Sequence, residues 1–375
     1  MRQQRCARVL MAALCLVASA VAGPQDNDVN EHRIRISSSV EMGFWGRVIM
    51  NTHLDTEDIR GNTDFATYVT GEASDEVNFN PRDTRLGFKT HSVFDGWHAG
   101  LVAEADFYGD NAGNNLTPRL RLGYVKLEKN DLSFRLGQDW IPLGQQNPGM
   151  VDFGILAWGG NLWWRVPQLT VRKQSGKFQW LGSLMKHRIS NDQESQEKWP
   201  WMIGRLAWQS DGHLVAVGAG YRSVEVNGIE YDPFLTVLEF KTGLGGKASI
   251  KGELWHGAGH GREFIRYGLD YNPVMADTIR SSGGFVSVHL PMGDRNHFNL
   301  GVGLDHPDEE DLSDGVGGII ATAPFVENQV IFANYQRKLS KQFSYGIEVL
   351  HIDTEQRDRT NIDSQRFTLS VAYIF

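Results

Sequence analysis

The sequence predicts an all-β protein: a closed transmembrane antiparallel β-barrel of sixteen strands, with short turns at one end and longer loops at the other. Three observations indicate this fold. Segments of about ten residues alternate apolar and polar side chains, which is the pattern of membrane-spanning strands. Short and long connections between these segments alternate along the chain. Beyond the N-terminal segment there is no apolar run of about 18 residues, and lipid otherwise admits only a closed barrel.

The first 22 residues have the pattern of a cleaved signal peptide rather than of folded structure. Three arginines lie within the first eight residues, an apolar run covers 9–21, and small residues follow in the A-x-A spacing of a cleavage site. A membrane anchor is the alternative, but the apolar run is shorter than the roughly 20 residues that a span needs. Residues 23–39 then form a short polar segment, and residues 40–375 are predicted to form the outer-membrane barrel.

Removal of the signal peptide changes the chemistry available to the chain. Both cysteines, Cys6 and Cys15, lie inside it, so the exported chain is expected to have neither a disulfide nor a thiol. The segment carries three arginines and no acid, and its loss lowers the formal net charge from −8 to −11. This acidity argues against nucleic acid as a partner. An exported chain that crosses a membrane with strands is expected in the outer membrane of a Gram-negative bacterium.

Sixteen segments carry the strand pattern. The last one alternates Phe367, Leu369, Val371, Tyr373 and Phe375 with polar or small residues, so one of its faces is apolar. Its terminal Phe375 resembles the signal that the barrel-assembly machinery reads in outer-membrane proteins. Residues 263–271 could form a further strand. With an error of about two to four residues at each end, the strands are predicted at 40–52, 83–91, 97–107, 117–128, 131–139, 167–174, 177–187, 200–209, 213–224, 233–242, 246–256, 282–290, 295–305, 327–338, 341–354 and 364–375.

The connections between these strands sort by length. Short turns are predicted at 92–96, 129–130, 175–176, 210–212, 243–245, 292–294 and 339–340. The intervening connections are mostly longer and cover 53–82, 108–116, 140–166, 188–199, 225–232, 257–281, 306–326 and 355–363. Membrane barrels have short periplasmic turns and longer extracellular loops, whereas a soluble β-sandwich has no reason to alternate its loop lengths. This alternation therefore favours the barrel.

Basic residues recur at inward positions of the first eight predicted strands. Guanidinium groups in a narrow aqueous channel attract carboxylates and phosphates and can bind them through two hydrogen bonds. The pattern predicts a channel for anionic or zwitterionic solutes, with pore-lining or solute-binding residues Arg47, Arg85, Lys89, Arg119, Arg121, Arg135, Arg172, Arg205, Glu104 and Asp106. The alternative is that these arginines pair with Glu104, Asp106 and loop carboxylates and merely fill the lumen.

The third long connection, 140–166, is rich in aromatic residues and glycine and poor in charge. A loop of this composition would be a liability if it were exposed. Folding inward to narrow the pore would shelter it, and packing at a subunit interface would do so equally well. We predict the inward arrangement, with the constriction residues Asp152, Phe153, Trp158, Trp163, Trp164 and Arg165.

Neither a metal site, a cofactor nor a catalytic site is predicted. The acids within 305–314 could hold Ca²⁺, but they lack the spacing of a calcium loop, and a solvated acidic loop is the favoured interpretation. His256 and His260 are interpreted as ordinary surface residues. An outer-membrane enzyme would need a nucleophile beside a base, and the sequence shows no convincing Ser–His pairing.

A series of short motifs resembles DcaP-like outer-membrane porins. The likeness is clearest over 83–172, and the order and spacing of the motifs carry it, since no single motif is specific. The stretch Arg85-Leu86-Gly87-Phe88 looks like the R-x-G-F strand of that family. The stretches similar to its later motifs are Glu104-Ala105-Asp106-Phe107, Pro118-Arg119-Leu120-Arg121, Gly137-Gln138-Asp139-Trp140 and Arg165-Val166-Pro167-Gln168.

The resemblance implies a sixteen-stranded homotrimeric porin that passes small organic anions such as dicarboxylates. It also implies a pore-lining role for Arg47, Arg85, Arg119, Arg121 and Arg135. The chain departs from the family because the polar residues 24–39 leave no room for a long heptad segment before the barrel. Besides the solute, the expected partners are outer-membrane lipid and lipopolysaccharide, and the barrel-assembly machinery through Phe375.

Two other functions are open at this point. A phosphate- or polyphosphate-specific porin is the nearest, and it would need a denser basic ladder with lysines in the constriction. A non-conducting outer-membrane barrel, either an enzyme or a receptor, is the other. The loops of a receptor would be expected to dominate the chain, and most of these loops are modest in length.

Overall fold

The computed structural model describes residues 32–37, 39–60, 65–71, 76–109, 116–187, 194–197, 199–265 and 269–375. The predicted signal peptide and most of the polar segment that follows it lie outside the described residues. In the described part of the chain, no helix has the length and apolar character needed to cross a membrane.

Sixteen long antiparallel strands form one closed barrel. Each strand pairs with the next along the chain, and the last pairs with the first through partners such as Met50 and Val371, which closes the ring. The strands are β1 Val40–Asp55, β2 Arg85–Phe94, β3 Trp97–Asp106, β4 Arg119–Lys129, β5 Leu132–Trp140, β6 Arg165–Ser175, β7 Phe178–Met185, β8 Trp201–Ser210, β9 His213–Tyr221, β10 Phe234–Gly245, β11 Ala248–Ala258, β12 Arg280–Met292, β13 Asn296–Pro307, β14 Glu327–Lys338, β15 Phe343–Glu355 and β16 Asn361–Ile374.

The predicted fold is confirmed. Each predicted strand overlaps one observed strand, and the ends differ by at most three residues. The suggested further strand at 263–271 is wrong, because Gly261–Ile265 forms one turn of π-helix and Tyr271–Asn272 pairs only with the neighbouring Asp277–Thr278. Among the described residues of this segment, Phe264 and Leu269 pack in the apolar cluster inside the barrel instead of extending the wall.

Alternation of side chains separates the two faces of the wall. On β1, Val48 and Met50 are exposed on the outer surface, whereas Asn51 and His53 are fully buried on the inner side. An apolar outer face with polar residues inside is the arrangement that a barrel needs in lipid. The alternation is interrupted on β4, where a bulge opposite Glu104 and Ala105 shifts the register.

The two ends of the barrel differ, and we name them by their connections. At the short-turn end the strands are joined by tight turns, such as Asp211–Gly212, where both residues have positive φ (48° and 84°). Two consecutive positive φ values suit Asp and Gly and match the twist of a hairpin. At the long-loop end the connections form small sheets of their own. Their strands are Ile59–Arg60 with Tyr68–Val69, and Glu194–Glu197 with Val224–Val226 and Ile229–Tyr231.

Two further strands extend the wall beside β1. His32–Arg35 pairs with its first half and Glu76–Asn80 with its second half. A single turn of 3₁₀ helix, Glu310–Leu312, lies in the loop between β13 and β14.

The long-loop half of the barrel has an apolar interior. Side chains that point inward from the wall, including Trp201 and Trp255, pack with loop residues such as Leu162, Phe264 and Phe325, and all five are buried. The loops therefore fill much of the lumen at this end. They leave the polar part of the interior against the wall formed by the first six strands.

Candidate functional site

The connection between β5 and β6, residues 141–164, lies inside the barrel, and we call it the inward loop. It is held against β15 by one buried carboxylate. Glu348 accepts hydrogen bonds from the backbone N–H groups of Val151 (2.8 Å) and Asp152 (2.7 Å). Both oxygens of the Glu348 carboxyl group accept backbone N–H groups of the loop, so this contact fixes the middle of the loop.

Two more buried acids hold the loop at other points. Glu253 of β11 accepts the N–H of Leu162 at 2.6 Å, and Glu239 of β10 accepts that of Gln145 at 3.2 Å. Backbone N–H groups that are buried away from water need hydrogen-bond acceptors. The inner wall therefore supplies the acceptors that a loop inside the barrel needs.

Hydrogen bonds to two backbone carbonyls of the inward loop, and a close approach of its backbone to β12, complete the docking of the loop. The amide of Asn334 donates to the carbonyl of Gly149 (2.8 Å), and the indole of Trp255 donates to that of Gly160 (2.7 Å). Gly160 has φ of 93°, and a Cβ there would lie 2.1 Å from the carbonyl oxygen of Gly284. Only glycine fits at this point of contact with β12.

Aromatic residues of the inward loop stack on aromatic residues of two other loops. The Phe153 ring stacks on Tyr108 (centroids 4.2 Å apart) and meets Trp163 edge-on (5.8 Å). Trp158 stacks on Tyr68 (4.8 Å). These contacts account for the apolar residues that would be costly at the surface.

Asp152 anchors the loop and is almost completely buried. It lies 3.1 Å from Arg366, which also forms a bidentate pair with Asp55 at 2.7 Å. Burial raises the pKa of the Asp152 carboxyl above its ordinary value, although the Arg366 guanidinium acts in the opposite direction. The residue therefore fixes the loop at its turn.

Arginines line the wall formed by β1 to β6, and most of them have a carboxylate partner. Arg47 and Arg85 both pair with Asp83, at 2.7 and 2.9 Å. Arg119 pairs with Asp106 through two contacts of 2.7 and 3.1 Å. These pairs fix the guanidinium groups in place and leave part of each group exposed to the lumen.

Two of the arginines share one aromatic ring. The guanidinium carbons of Arg121 and Arg165 lie 5.1 and 4.9 Å from the centroid of Trp140. Arg121 lies 3.1 Å from Glu104. Both arginines are buried, and each has a terminal nitrogen without a hydrogen-bond partner in the described structure. Two buried guanidinium groups therefore lie against one indole, which concentrates positive potential there.

This pair lies between two cavities. A cavity of about 880 Å³ on the short-turn side is lined by Arg47, Arg85, Arg121 and Trp140, among others. A smaller one of about 250 Å³ near the long-loop end is lined by Arg119, Trp164, Arg165, Lys186 and His187, and also by Leu120 and Pro167, which are exposed on the outer face of the wall. Arg121 lines the first cavity and Arg165 the second, and both guanidinium groups lie over Trp140.

Comparison with solved structures shows which fold the barrel has. No protein-family model and no curated protein matches the sequence. Among solved structures, the barrel is similar to the outer membrane channel DcaP of Acinetobacter baumannii, with a TM-score of 0.80 and 16% identity over 91% of this chain and 99% of that chain. This chain has the porin fold. The porin fold agrees with the DcaP-like resemblance of the sequence motifs.

Two other solved structures share the porin fold. One is an anion-selective porin from Comamonas acidovorans, with a TM-score of 0.65 and 15% identity over 90% of this chain and 100% of that chain. The other is the trimer form of OmpT, an outer membrane protein of Vibrio cholerae, with a TM-score of 0.57 and 11% identity over the same shares of the two chains. At these identities the likeness concerns the fold.

Within the porin fold, four of the predicted basic residues line neither cavity. Arg205 is buried and forms a bidentate pair with Glu239 at 2.7 and 2.9 Å, so it supports an anchor of the inward loop. Arg135 pairs with Asp139 at 2.8 Å. The other two are Arg172, whose buried Nε has no partner in the described structure, and Lys89, which is exposed.

The porin lumen also contains charged residues that the sequence analysis did not select. The anchoring acids Glu239, Glu253 and Glu348 are three of them. Lys241 and Lys251 line the larger cavity on the wall facing the arginines. All five occupy inward positions on strands after β8. The alternation of inward and outward side chains would have predicted them if the search for charged lumen residues had extended past the first eight strands.

The acidic loop of the porin barrel forms ion pairs. Arg280 lies 3.1 Å from Asp308 and 2.7 Å from Asp311, and Arg359 pairs with Glu309. In the described ranges, no group of three acids, histidines or cysteines could hold a metal ion. These pairs tie the long loops to one another.

The two histidines near the end of β11 differ from each other. His260 is fully buried, which contradicts its interpretation as a surface residue, whereas His256 is exposed. The structure also brings each close to a serine, with His256 Nδ1 2.8 Å from Ser282 Oγ and His260 Nε2 3.4 Å from Ser281 Oγ. Among the described residues no carboxylate hydrogen-bonds to either imidazole, so both pairs lack the group that orients a catalytic base.

Proposed function

We propose that this chain forms a water-filled channel in the outer membrane of a Gram-negative bacterium, and that the channel favours small organic anions such as dicarboxylates. The observation that carries the proposal is the position of Arg121 and Arg165 on Trp140, between the two cavities. A planar carboxylate can accept two parallel hydrogen bonds from a guanidinium group. A buried guanidinium nitrogen without a partner is costly, and a passing carboxylate would satisfy it.

The neighbouring acids support passage rather than permanent binding. A channel must bind its solute well enough to admit it and weakly enough to release it. Glu104, Asp106 and Asp83 neutralise part of the charge of the arginines and hold them in place. The net attraction for a carboxylate is therefore reduced at each step, so a solute can move from Arg119 and Arg165 to Arg121 and the larger cavity.

The proposed orientation follows from the connections. Barrels of this class have short periplasmic turns, so the short-turn end faces the periplasm and the long loops face outward. The inward loop narrows the lumen, with Phe153, Trp163 and Trp164 as its constriction side chains. Solutes enter at Arg119 and leave through the larger cavity.

The proposed partners follow from the outer surface and the chain end. Exposed apolar side chains such as Val48 and Leu120 would contact outer-membrane lipid, and the long-loop end would lie among lipopolysaccharide. The backbone of Phe375 pairs with Gly46 through two hydrogen bonds of 3.0 Å, so recognition of this residue by the assembly machinery would precede closure of the barrel. A homotrimer is proposed by analogy with the trimer form of OmpT.

Competition by a dicarboxylate tests the channel. We expect succinate to reduce the KCl current of the purified protein in a planar bilayer, and uncharged pentaerythritol at the same concentration to reduce it far less. The Arg121→Gln/Arg165→Gln variant should lose about tenfold in apparent succinate affinity, since each bidentate charge-assisted contact contributes more than 1 kcal/mol. The matched control is Arg357→Gln/Arg359→Gln, which removes two exposed arginines of a long loop.

The outcomes separate the proposals. Equal inhibition of the variant and the wild type would contradict the role of the arginine pair. Absence of conductance from folded protein would contradict the channel itself. In that case hydrolysis of phospholipid or ester substrates, lost in Ser282→Ala, would point to an outer-membrane enzyme.

A further inference from the structure

Two lysines face each other across neighbouring strands at the short-turn end of the larger cavity. Lys241 on β10 and Lys251 on β11 are direct partners in the ladder, and both line the cavity. Like charges at directly opposite positions of a sheet destabilise it. Other lysines near this end have acids beside them, for example Lys247 with Asp294 at 2.8 Å.

The nearest acids on the same strands are already engaged. Glu239 and Glu253, two residues away on the same face, hold Arg205 and the N–H groups of the inward loop. In the part of the chain that the structure describes, neither Lys241 nor Lys251 has an ion-pair partner. Their charges are therefore directed into the cavity without compensation from the protein.

Two histidines stand beside the lysines and also line the cavity. His289 lies on β12 next to β11, and its ring stacks on that of His297 with centroids 5.2 Å apart. A hydrogen bond of 2.8 Å between His289 Nδ1 and Asn299 Oδ1 fixes the first ring. The buried Nδ1 of His297 has no hydrogen-bond partner within the described residues, so a polar group is left unsatisfied at this place.

We propose that Lys241, Lys251, His289 and His297 form a second anion site, specific for the phosphoryl group of a small solute or for inorganic phosphate. This inference rests on the proposed anion channel and deepens it. A lysine ammonium is a compact charge with three donors that rotate freely, which suits a tetrahedral oxyanion, whereas the flat guanidinium suits a carboxylate. A phosphoryl group carries nearly two negative charges at neutral pH and accepts hydrogen bonds through three oxygens, so two lysines can neutralise it.

The position of this site complements the arginine row. The row lies on β1 to β6 and the lysine–histidine group on β10 to β13, so the two face each other across one cavity. A phosphorylated solute that also carries a carboxylate could be held from both walls. A solute with a phosphoryl group would therefore bind at the periplasmic side of the inward loop.

Side-specific block in a planar bilayer tests the proposal. Inorganic phosphate, glucose 6-phosphate or succinate is added at the short-turn side of oriented channels, and the reduction of the KCl current is titrated. We expect Lys241→Gln/Lys251→Gln to weaken block by both phosphoryl compounds about tenfold, since each lysine contributes a close charge contact in water. Block by succinate added at the same side should change little. Lys173→Gln/Lys177→Gln, which removes two exposed lysines outside the cavity, is the matched control.

The outcomes distinguish this proposal from the channel itself. Block by inorganic phosphate alone, lost in the variant, would support the site and identify the free ion as its ligand. Unchanged phosphate block in Lys241→Gln/Lys251→Gln, or equal loss in the control, would overturn the site even if the channel still prefers anions. Loss of succinate block to the same extent would overturn its phosphoryl specificity. A cation preference of the wild-type channel in KCl would instead contradict the proposed function.

Discussion

Replacing Arg366 by alanine is expected to lower the free energy of unfolding by about 3–5 kcal/mol, because it strands two buried carboxylates. Arg366 is completely buried and pairs with Asp55 on β1 and with Asp152 of the inward loop. It therefore joins the closing strands of the barrel to the loop inside it. Truncation leaves both acids without a cation in a place that water reaches poorly, which is costly.

Urea unfolding of the refolded protein in detergent measures this effect. Arg359→Ala is the matched control, since Arg359 forms exposed pairs with Glu309 and Glu355. Exposed pairs contribute about 0–1 kcal/mol, so the control should unfold close to the wild type. Equal losses in the two variants, or a loss below about 1 kcal/mol in Arg366→Ala, would contradict the structural role of the buried triad.

Replacing Glu348 by alanine is expected to release the inward loop. The change leaves the N–H groups of Val151 and Asp152 and the amide of Asn334 without their shared acceptor. A stranded buried donor costs about 1–3 kcal/mol, so states with the loop undocked should become at least tenfold more populated. A loop that narrows the lumen would then obstruct it less, and the single-channel conductance and its noise should both rise.

Two variants separate loop release from general damage. Glu348→Gln keeps one acceptor oxygen and should fall between the wild type and the alanine variant. Glu355→Ala removes a partly exposed acid from the same strand and should conduct like the wild type. A conductance that does not change in Glu348→Ala would show that the loop does not restrict the pore.

The sequence predicted the barrel well because its wall obeys a simple rule. One face of the wall contacts lipid and the other contacts water or polar side chains. Apolar and polar residues therefore alternate along every strand. Loop lengths follow from the two ends facing different compartments, and this constraint is also visible in the sequence. The strand ends were therefore predicted to within three residues.

The inward face was harder to predict because its residues are chosen by partners distant in the chain. Glu348 holds residues nearly two hundred positions away, and Arg366 joins Asp55 to Asp152. No local pattern reports such contacts. The β4 bulge also breaks the alternation, and Tyr124 lies beneath the Arg135 guanidinium, whose carbon is 5.1 Å from the centroid of its ring.

The same limit applies to the choice between selecting anions and filling the lumen. The arginines do pair with Glu104 and Asp106, as the second interpretation required. They also line two cavities, as the first required. The sequence could not separate these interpretations because one guanidinium has enough donors for an acid of the wall and for a solute.

The reversal potential under a KCl gradient tests the central claim most directly. The measurement uses purified protein in a planar bilayer and compares the wild type with Arg121→Gln/Arg165→Gln and with the exposed-residue control Arg357→Gln/Arg359→Gln. The arginine–tryptophan arrangement predicts that the wild type and the control prefer chloride over potassium and that the double variant loses this preference. A wild type that prefers potassium, or a double variant with an unchanged reversal potential, would contradict it.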